Sequence, residues 1–306
     1  MPGEIFYWVL NISIFGSAVG LIPLFLRRIR ALPRFGVYLL WILPFLRLLI
    51  PAGFANRYSL LSFISQYTTK TLLLWEPASE LPEITTSNFL QAATQYSPIE
   101  YKTDLLKNIF SISGLIWLII AVAAILCSIF LYINTKSALK DAQKIRDNIY
   151  LSDKILSPAV YGIIRPQIIL PENITDADLE YILRHERIHI RRKDNLWRIL
   201  AVLTGCIHWF NPLVWIFIKC FFIDMELACD HGVIKNLTED DQKSYASALL
   251  SYSAGKSFYA SAFGGAKTRL RIENILSYKK LTLASCIFFI VLFIVITVTV
   301  ITNAPM

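Results

Sequence analysis

Four long apolar blocks constrain this chain of 306 residues more than any other feature of its sequence. They cover residues 5–26, 35–54, 109–133 and 281–301, and each matches the ~20 residues that a helix needs to cross a bilayer. Composition agrees, because 55% of the residues are hydrophobic and 17% are charged, against about 25% charged in soluble domains. The sequence therefore predicts a mainly α, polytopic membrane protein with four transmembrane helices. It excludes disorder and a fibrous repeat.

Basic residues predict how these helices are oriented, since the cytoplasmic flanks of membrane segments are enriched in lysine and arginine. Twenty-five of the 30 basic residues lie in the connection 27–34 and in segment 135–280, which we therefore place inside the cell. Arg47, near the end of the second block, is expected to extend to the lipid headgroups. The first block lacks a basic leader and a small-residue cleavage site, so we expect it to be retained. The predicted layout begins with three transmembrane helices in 1–134, with an outer loop at 55–108. A cytoplasmic domain at 135–280 follows, and then a fourth helix and a short outer tail at 281–306. Both termini are predicted to lie outside.

The cysteines and the net charge narrow the class of protein further. None of the five cysteines lies in the predicted outer loop, so the fold does not depend on an extracellular disulfide. No C-x-x-C pair occurs, which excludes a zinc ribbon. The net charge of +8 follows from the predicted topology, and no aromatic and basic stripe indicates a nucleic-acid partner.

All four histidines fall between positions 185 and 231, and the first two form the pattern H-E-x-x-H with His185, Glu186 and His189. Positions i and i+4 of a helix share a face, so both imidazoles can bind one Zn²⁺ at ~2.0–2.1 Å. Glu186 can then act as the general base towards a water whose pKa the metal lowers to ~7. Thr175 or Asp176 can cap this helix. The motif also occurs by chance on surface helices, so it needs support from elsewhere in the chain.

The sequence E-L-A-C-D at 226–230 gives that support. A hydrolytic zinc site needs a third protein ligand and an open fourth position, and Glu226 can supply a carboxylate oxygen. Asp230, one turn later, can accept the second ring N–H of a ligand histidine. Taken alone, the pentapeptide would more simply form an exposed acidic helix face. His208 and His231 are better explained by turn and packing roles. The predicted site is one Zn²⁺ per chain, held by His185, His189 and Glu226.

Segment 196–223 separates the two halves of this site and is almost entirely apolar. The run H-W-F-N-P at 208–212 breaks it, because proline disrupts the helix behind it, and neither arm reaches the length of a span. We predict a helical hairpin that enters the inner leaflet and returns, which places the active site at the cytoplasmic membrane surface. Upstream, residues 157–171 predict a small edge β-hairpin. It either binds a polypeptide substrate by strand addition or only packs on the zinc helix.

Together these motifs resemble one protein family. The chain contains H-E-R-I-H, H-W-F-N-P-L-V-W and E-L-A-C-D, with P-Q-I-I-L-P upstream and four predicted spans around them. This combination resembles the BlaR/MecR family of integral-membrane zinc metallopeptidases of bacterial plasma membranes. Members of that family are β-lactam sensor-transducers and antirepressors. The resemblance implies a gluzincin-type site with ligands His185, His189 and Glu226, a catalytic Glu186, and Asp230 supporting a ligand. It also implies regulated cleavage of a cytoplasmic protein, typically a transcriptional repressor, after a signal is received outside.

The sequence departs from the sensor-bearing members, because only residues 302–306 follow the fourth block and no penicillin-binding domain is expected. We therefore expect the signal to arrive through the outer loop, a partner protein or the membrane. The expected partners are membrane lipid and either a sensor protein or a second copy of the chain in a homodimer. Segment 264–271 is either a self-cleavage site or a glycine hinge beside the membrane. Two other functions stay open. One is a membrane quality-control zinc protease, and the other is a non-catalytic signalling or scaffold protein in which His231 would complete a structural zinc site.

Overall fold

The computed structural model describes residues 2–29, 32–50, 104–155, 157–172, 174–253, 268–278 and 282–301. Most of the predicted outer loop lies outside this described part, and so do residues 264–267 of the segment that is either a self-cleavage site or a glycine hinge. The helices are α1 (Pro2–Leu26), α2 (Arg34–Leu40), α3 (Ile42–Leu49), α4 (Asp104–Ala138), α5 (Asp176–Arg192), α6 (Asp194–Ile207), α7 (Pro212–Ile234), α8 (Glu239–Ser253), α9 (Thr268–Leu276) and α10 (Leu283–Ile301). The strands are β1 (Gln143–Arg146), β2 (Ile149–Ser152), β3 (Ala159–Tyr161) and β4 (Gln167–Pro171). The fold is mainly helical, as predicted.

Two of these helices, α1 and α4, are long and apolar enough to cross a membrane, and α10 contains a shorter apolar stretch at Leu283–Thr299. They correspond to the first, third and fourth predicted spans. Most large apolar side chains of α4 stay exposed, including Ile112 and Phe130, as expected for a helix surrounded by lipid. Gly114 lets α4 approach α1 closely, because a Cβ there would lie 2.5 Å from the Pro2 carbonyl oxygen.

The second predicted span is not one continuous helix in its described part. It consists of α2 and α3, which meet at Trp41. Pro44 explains the break, because its ring lacks an N–H and clashes with the carbonyl of Leu40 one turn earlier. The expectation for Arg47 is also wrong: its side chain is buried in the protein and its guanidinium lies 4.8 Å from the centre of the Phe15 ring.

The predicted helical hairpin is present as α6 and α7, and the chain turns between them at His208–Asn211. The Asn211 side chain accepts a hydrogen bond from the Leu213 N–H at 2.9 Å, and Pro212 occupies the first turn of α7, where its missing N–H has no cost. The second arm is longer than the predicted end at residue 223, because α7 continues to Ile234. This extension carries Glu226 and Asp230.

Polar contacts fix the hairpin against α1 at two levels. At the tip, the Asn211 amide donates to the hydroxyl oxygens of Ser13 and Ser17, both at 2.7 Å. Further along, the Arg27 guanidinium donates to both oxygens of Asp224 at 3.0 and 3.1 Å. The two levels are separated by about 20 Å along α1 at 1.5 Å per residue. The hairpin tip therefore lies against the middle of α1, and Asp224 lies at the basic end of that helix.

Aromatic packing holds the same hairpin against α2 and α3. Trp41 and Phe221 are fully buried, and the Phe221 ring stacks on Tyr38 with centroids 5.5 Å apart. The Trp41 indole N–H donates to Asp224 at 2.8 Å. A side chain at Gly20 of α1 would clash with the Phe217 ring, so glycine is required for this approach. Helix α7 is consequently buried along most of its length.

A four-stranded sheet in the order β1-β2-β4-β3 covers the outer face of α5. The predicted edge hairpin is present as the antiparallel pair β3 and β4, with β3 at the edge. Strands β1 and β2, over 143–152, were not predicted, and β4 pairs with β2 in parallel. The Asn195 amide donates to the carbonyls of Val160 and Gly162 at 3.1 and 2.9 Å. These bonds support the packing role of β3, because the Val160 carbonyl of the strand and the Gly162 carbonyl just after it are already bonded.

Candidate metal centre

Helix α5 carries His185, Glu186 and His189 on its buried side. Thr175 stands at its N-cap with an extended backbone, one of the two residues expected there. The i, i+4 spacing brings the Nε2 atoms of His185 and His189 to 3.1 Å from one another. Both rings are about 95% buried, and Glu186 is 8% exposed. The predicted histidine pair therefore faces one common point inside the protein.

Helix α7 brings Glu226 to the same point. Its Oε2 lies 3.4 Å from His185 Nε2, and its Oε1 lies 3.6 Å from His189 Nε2. A tetrahedral zinc ion with bonds of ~2.0–2.2 Å separates its ligand atoms by about 3.3–3.5 Å. The three side chains thus fit a zinc ion in donor type and in spacing. The structure brings together the residues that the sequence predicted as ligands.

Asp230 and Tyr245 support His185 from behind. The Asp230 Oδ1 lies 3.3 Å from His185 Nδ1, where the sequence placed a carboxylate acceptor. The Tyr245 hydroxyl, from α8, lies 2.9 Å from the same ring nitrogen and donates to Asp230 Oδ1 at 2.7 Å. A proton on Nδ1 is held by these two acceptors, which leaves the Nε2 lone pair for a metal. Sequence reasoning missed Tyr245, which belongs to no motif.

Asp194 gives His189 the same support, and sequence reasoning missed it too. It is fully buried, and its Oδ2 lies 2.6 Å from His189 Nδ1. Its Oδ1 accepts a hydrogen bond from the Tyr38 hydroxyl at 2.9 Å. Lys193 has a left-handed backbone (φ 56°), which ends α5 and lets α6 begin at Asp194 directly beside the histidine. The sequence signal that could have predicted this role is that Asp194 is an acidic residue five positions after the candidate ligand His189.

A second group of ligand-type atoms, from His189, Asp194 and Cys229, lies on the far side of the same ring. The Cys229 Sγ is 3.3 Å from His189 Nδ1. Arg192 neutralises this group, with Nη2 3.2 Å from Asp194 and Nη1 3.3 Å from the Cys229 sulfur. Because Nδ1 is already bonded to a carboxylate, we assign these residues to the support of His189.

Two further cations missed by sequence reasoning border the site. Arg271, from α9, makes a two-pronged ion pair with Asp230, with Nε–Oδ2 at 2.8 Å and Nη2–Oδ1 at 2.6 Å. Its Nη1 also lies 3.6 Å from Glu226. Arg198, from α6, donates to the other Glu226 oxygen at 2.9 Å. Arg271 belongs to the segment 264–271 that sequence analysis considered for self-cleavage, and residues 268–271 lie in a helix docked on the site.

Neighbouring charges shift the pKa values of the metal-ligand candidates strongly. Burial alone would raise the pKa of Glu226, but His189, His185 and Arg271 together hold it well below its usual range. Burial alone would lower the pKa of His189, but Cys229, Glu226 and Asp194 outweigh that effect and raise it well above its usual value. Without a metal, the histidines therefore share protons with the surrounding anions. A divalent cation would take the place of those protons.

The two remaining histidines lie outside the ligand set, in agreement with their predicted packing roles. His208 is buried at the hairpin tip, with Nε2 3.0 Å from the Leu48 carbonyl oxygen, to which it donates. The His231 ring packs edge-on against Tyr278 with centroids 5.3 Å apart. Within the described part of the chain, neither joins the group formed by the ligand atoms.

The fold and the site define a class of protein: a mainly helical chain with membrane-length apolar helices and a buried His–His–Glu cluster suited to a divalent metal. The family described as BlaR1 peptidase M56 matches residues 7–275, and the chain belongs to this family of regulatory peptidases.

Several curated proteins are similar to parts of this chain. The regulatory protein BlaR1 of Bacillus licheniformis is 39% identical over 108 residues, which are 34% of this chain and 18% of that protein. The methicillin resistance mecR1 protein of Staphylococcus aureus is 34% identical over 110 residues, 35% of this chain and 19% of its own. The regulatory protein BlaR1 of Staphylococcus aureus is 25% identical over 229 residues, 64% of this chain and 39% of its own. The matches thus span less than half the length of these relatives.

Proposed function

We propose that this chain is a membrane-embedded zinc endopeptidase of a signalling system. It cleaves a cytoplasmic protein, with a transcriptional repressor as the expected substrate, in response to an external or membrane signal. The observation that carries the proposal is the convergence of His185 Nε2, His189 Nε2 and the Glu226 carboxylate within 3.1–3.6 Å of one another. Membership of a regulatory peptidase family supports the signalling role.

Zinc bound by these three side chains would supply Lewis-acid polarisation of the scissile carbonyl. Glu186 follows His185 directly on α5, so its carboxylate projects from the helix beside the ligand face. In the described part of the chain it takes part in no hydrogen bond or ion pair, unlike Glu226 and Asp230. Glu186 is therefore available to take a proton from the attacking water and to pass it to the leaving amine.

The ligand set favours catalysis over a structural zinc site. A closed structural site would need a fourth protein ligand, and within the described residues the group that could hold a metal contains three. His231, the nearest candidate in the sequence, instead packs against Tyr278. A zinc ion with these three protein ligands would keep its fourth coordination position open for water and substrate.

The contacts of the hairpin support an active site at the cytoplasmic membrane surface. Glu226 lies only two residues beyond Asp224, which pairs with Arg27 at the basic end of α1. Positive flanks favour the cytoplasmic side, so the metal centre would stand just inside the inner leaflet. A cytoplasmic polypeptide can reach it there without crossing the membrane.

A co-expression experiment tests the proteolytic function. Wild-type protein and the variant Glu186→Ala are each expressed with candidate cytoplasmic repressors, and repressor fragments are followed by immunoblotting. We expect fragments only with the wild-type chain, because Glu186 moves the proton while the metal ligands stay intact. Equal fragmentation with both proteins would refute proteolysis by this site, even if zinc is bound.

Metal content tests the ligand assignment separately. The variants His185→Ala and Glu226→Ala should each lose zinc, as measured by elemental analysis of the purified chain. His231→Ala is the matched control, since it removes an imidazole from the same helix as Glu226 without touching the ligand group. Zinc retained by Glu226→Ala, or lost by His231→Ala, would contradict the three-ligand site.

A further inference from the structure

A basic cavity lies on the back of the zinc helix, opposite the metal centre. Its volume is about 310 Å³, and its wall is formed by α5 and the C-terminal end of α7. Four cations line it: Arg184, Arg187, Arg191 and Lys235. We call these four residues the basic pocket. Ile188 and the side-chain-free Gly232 contribute its apolar part, so the cavity is closed on one side by packed helices.

The cations of the basic pocket have no carboxylate partner among the residues that the structure describes. In the described part of the chain, none of the four makes an ion pair with a carboxylate. Neighbouring arginines behave differently, because Arg192, Arg198 and Arg271 each pair with an aspartate or glutamate around the metal centre. Like charges three and four residues apart on a helix repel one another. The arrangement on α5 therefore costs stability that a bound anion would restore.

The rim of the basic pocket adjoins two places where predicted spans begin. His231, directly before Gly232, packs against Tyr278, which precedes α10 by a few residues. Burial lowers the pKa of His231, and the positive charges of Lys235 and of Arg34, at the start of α2, lower it further. In the membrane orientation proposed above, on which this inference rests, the phosphate groups of membrane lipids would lie at this level.

We propose that the basic pocket is a binding site for a phosphate group, which either an anionic lipid headgroup or free phosphate could supply. Guanidinium groups match phosphate oxygens with two parallel N–H donors, which gives geometry as well as charge. The three arginines on one face of α5 can donate to a phosphate from one side of the cavity. Lys235, at the C-terminal end of α7, can donate from the other wall. Carboxylates of the chain do not compete for these donors within the described residues.

The test uses the full chain, purified in detergent. Phosphatidylglycerol is titrated in, and its occupancy is measured by native mass spectrometry. Phosphatidylcholine, which carries a phosphate without net negative charge, is the lipid control. Inorganic phosphate is titrated separately by calorimetry. The variant R187Q/R191Q/K235Q removes three exposed cations of the pocket. The matched control K144Q/R146Q/R165Q removes three exposed cations from the sheet region, so the change in net charge is the same.

We expect the pocket variant to bind phosphatidylglycerol or phosphate at least ~10-fold more weakly than the wild-type chain, since several charge-assisted hydrogen bonds are lost. The sheet variant should bind as the wild type does, and binding should weaken with added salt. Pocket-dependent binding of phosphatidylglycerol alone identifies a headgroup, and pocket-dependent binding of inorganic phosphate alone identifies the free ion. The single variant R184Q gives the same comparison if the triple variant fails to fold.

Three results would overturn the proposal. The first is equal affinity for phosphatidylcholine and phosphatidylglycerol, which would show that acyl chains rather than charge drive binding. The second is an equal loss in the pocket and sheet variants, which would show a net-charge effect. The third is that the wild-type chain binds neither phosphatidylglycerol nor inorganic phosphate.

Discussion

Replacing Arg271 by methionine should destabilise the protein and weaken its hold on zinc. Methionine keeps much of the length of the side chain but removes the guanidinium. The Asp230 carboxylate, about 99% buried, would lose both bonds of its ion pair, at 2.6 and 2.8 Å. It would keep the Tyr245 hydroxyl and its contact with His185. A buried carboxylate without its cation is unfavourable, because no solvent replaces the lost charge.

The size of the effect follows from this geometry. Removing one partner of a buried ion pair costs ~3–5 kcal/mol, which agrees with the loss of two charge-assisted hydrogen bonds at ~1.5–3 kcal/mol each. At ~2–4 °C for each kcal/mol, the unfolding temperature should fall by roughly 6–20 °C. Zinc affinity should fall by about 10–100-fold, because Asp230 orients a ligand histidine.

Thermal unfolding of the detergent-solubilised chain, followed by tryptophan fluorescence, measures the first effect. Competition with a zinc chelator measures the second. Arg269→Met is the matched control, because Arg269 lies on the same helix and pairs with Glu273 in solvent, with 90% of its side chain exposed. We expect that control to unfold as the wild type does.

The variant R271M/D230N separates the ion pair from general packing. Removing the carboxylate charge as well should recover part of the lost unfolding temperature, because no unpaired ion then stays buried. The reasoning is refuted if R271M unfolds at the temperature of R269M, or if the double variant is no more stable than R271M.

Three shorter predictions follow from other contacts. Asp194→Asn should lower zinc affinity by about 10–100-fold in chelator competition, because the amide cannot accept the His189 proton as a carboxylate does; unchanged affinity would exclude its supporting role. Tyr38→Phe should have a smaller effect in the same assay, since it removes only one hydrogen bond to Asp194. Gly20→Leu should lower the unfolding temperature or prevent accumulation of folded protein, because its side chain would collide with Phe217; wild-type stability would show that α1 and α7 can separate at no cost.

The sequence predicted the parts of the metal centre that depend on helical spacing. His185 and His189 share a helix face because they are four residues apart, and Glu226 and Asp230 repeat that spacing on α7. The turn at His208–Pro212 was predictable for the same kind of local reason, since proline ends a helix at the residues before it. These features lie within single elements, where periodicity determines which side chains meet.

The supporting residues come from elements whose docking no local pattern encodes. Tyr38, Tyr245 and Arg271 reach the site from α2, α8 and α9. Tyr245 and Arg271 lie 15 and 41 residues after Asp230, and Tyr38 lies 156 residues before Asp194. The break at Trp41 shows a different limit. Hydropathy measures whether a segment suits lipid, but it does not register that Pro44 interrupts the helix within it.

The hairpin contacts have a mechanical consequence for the metal centre. The histidines belong to α5, whereas Glu226 belongs to α7, which Asn211 and Asp224 fasten to α1 at two levels about 20 Å apart. Zinc bonds tolerate deviations of only ~0.2 Å. A small slide or tilt of α1 would therefore displace one ligand relative to the other two by more than the ion accepts. Motion of the first apolar helix would thus be coupled to the geometry of the proposed metal site.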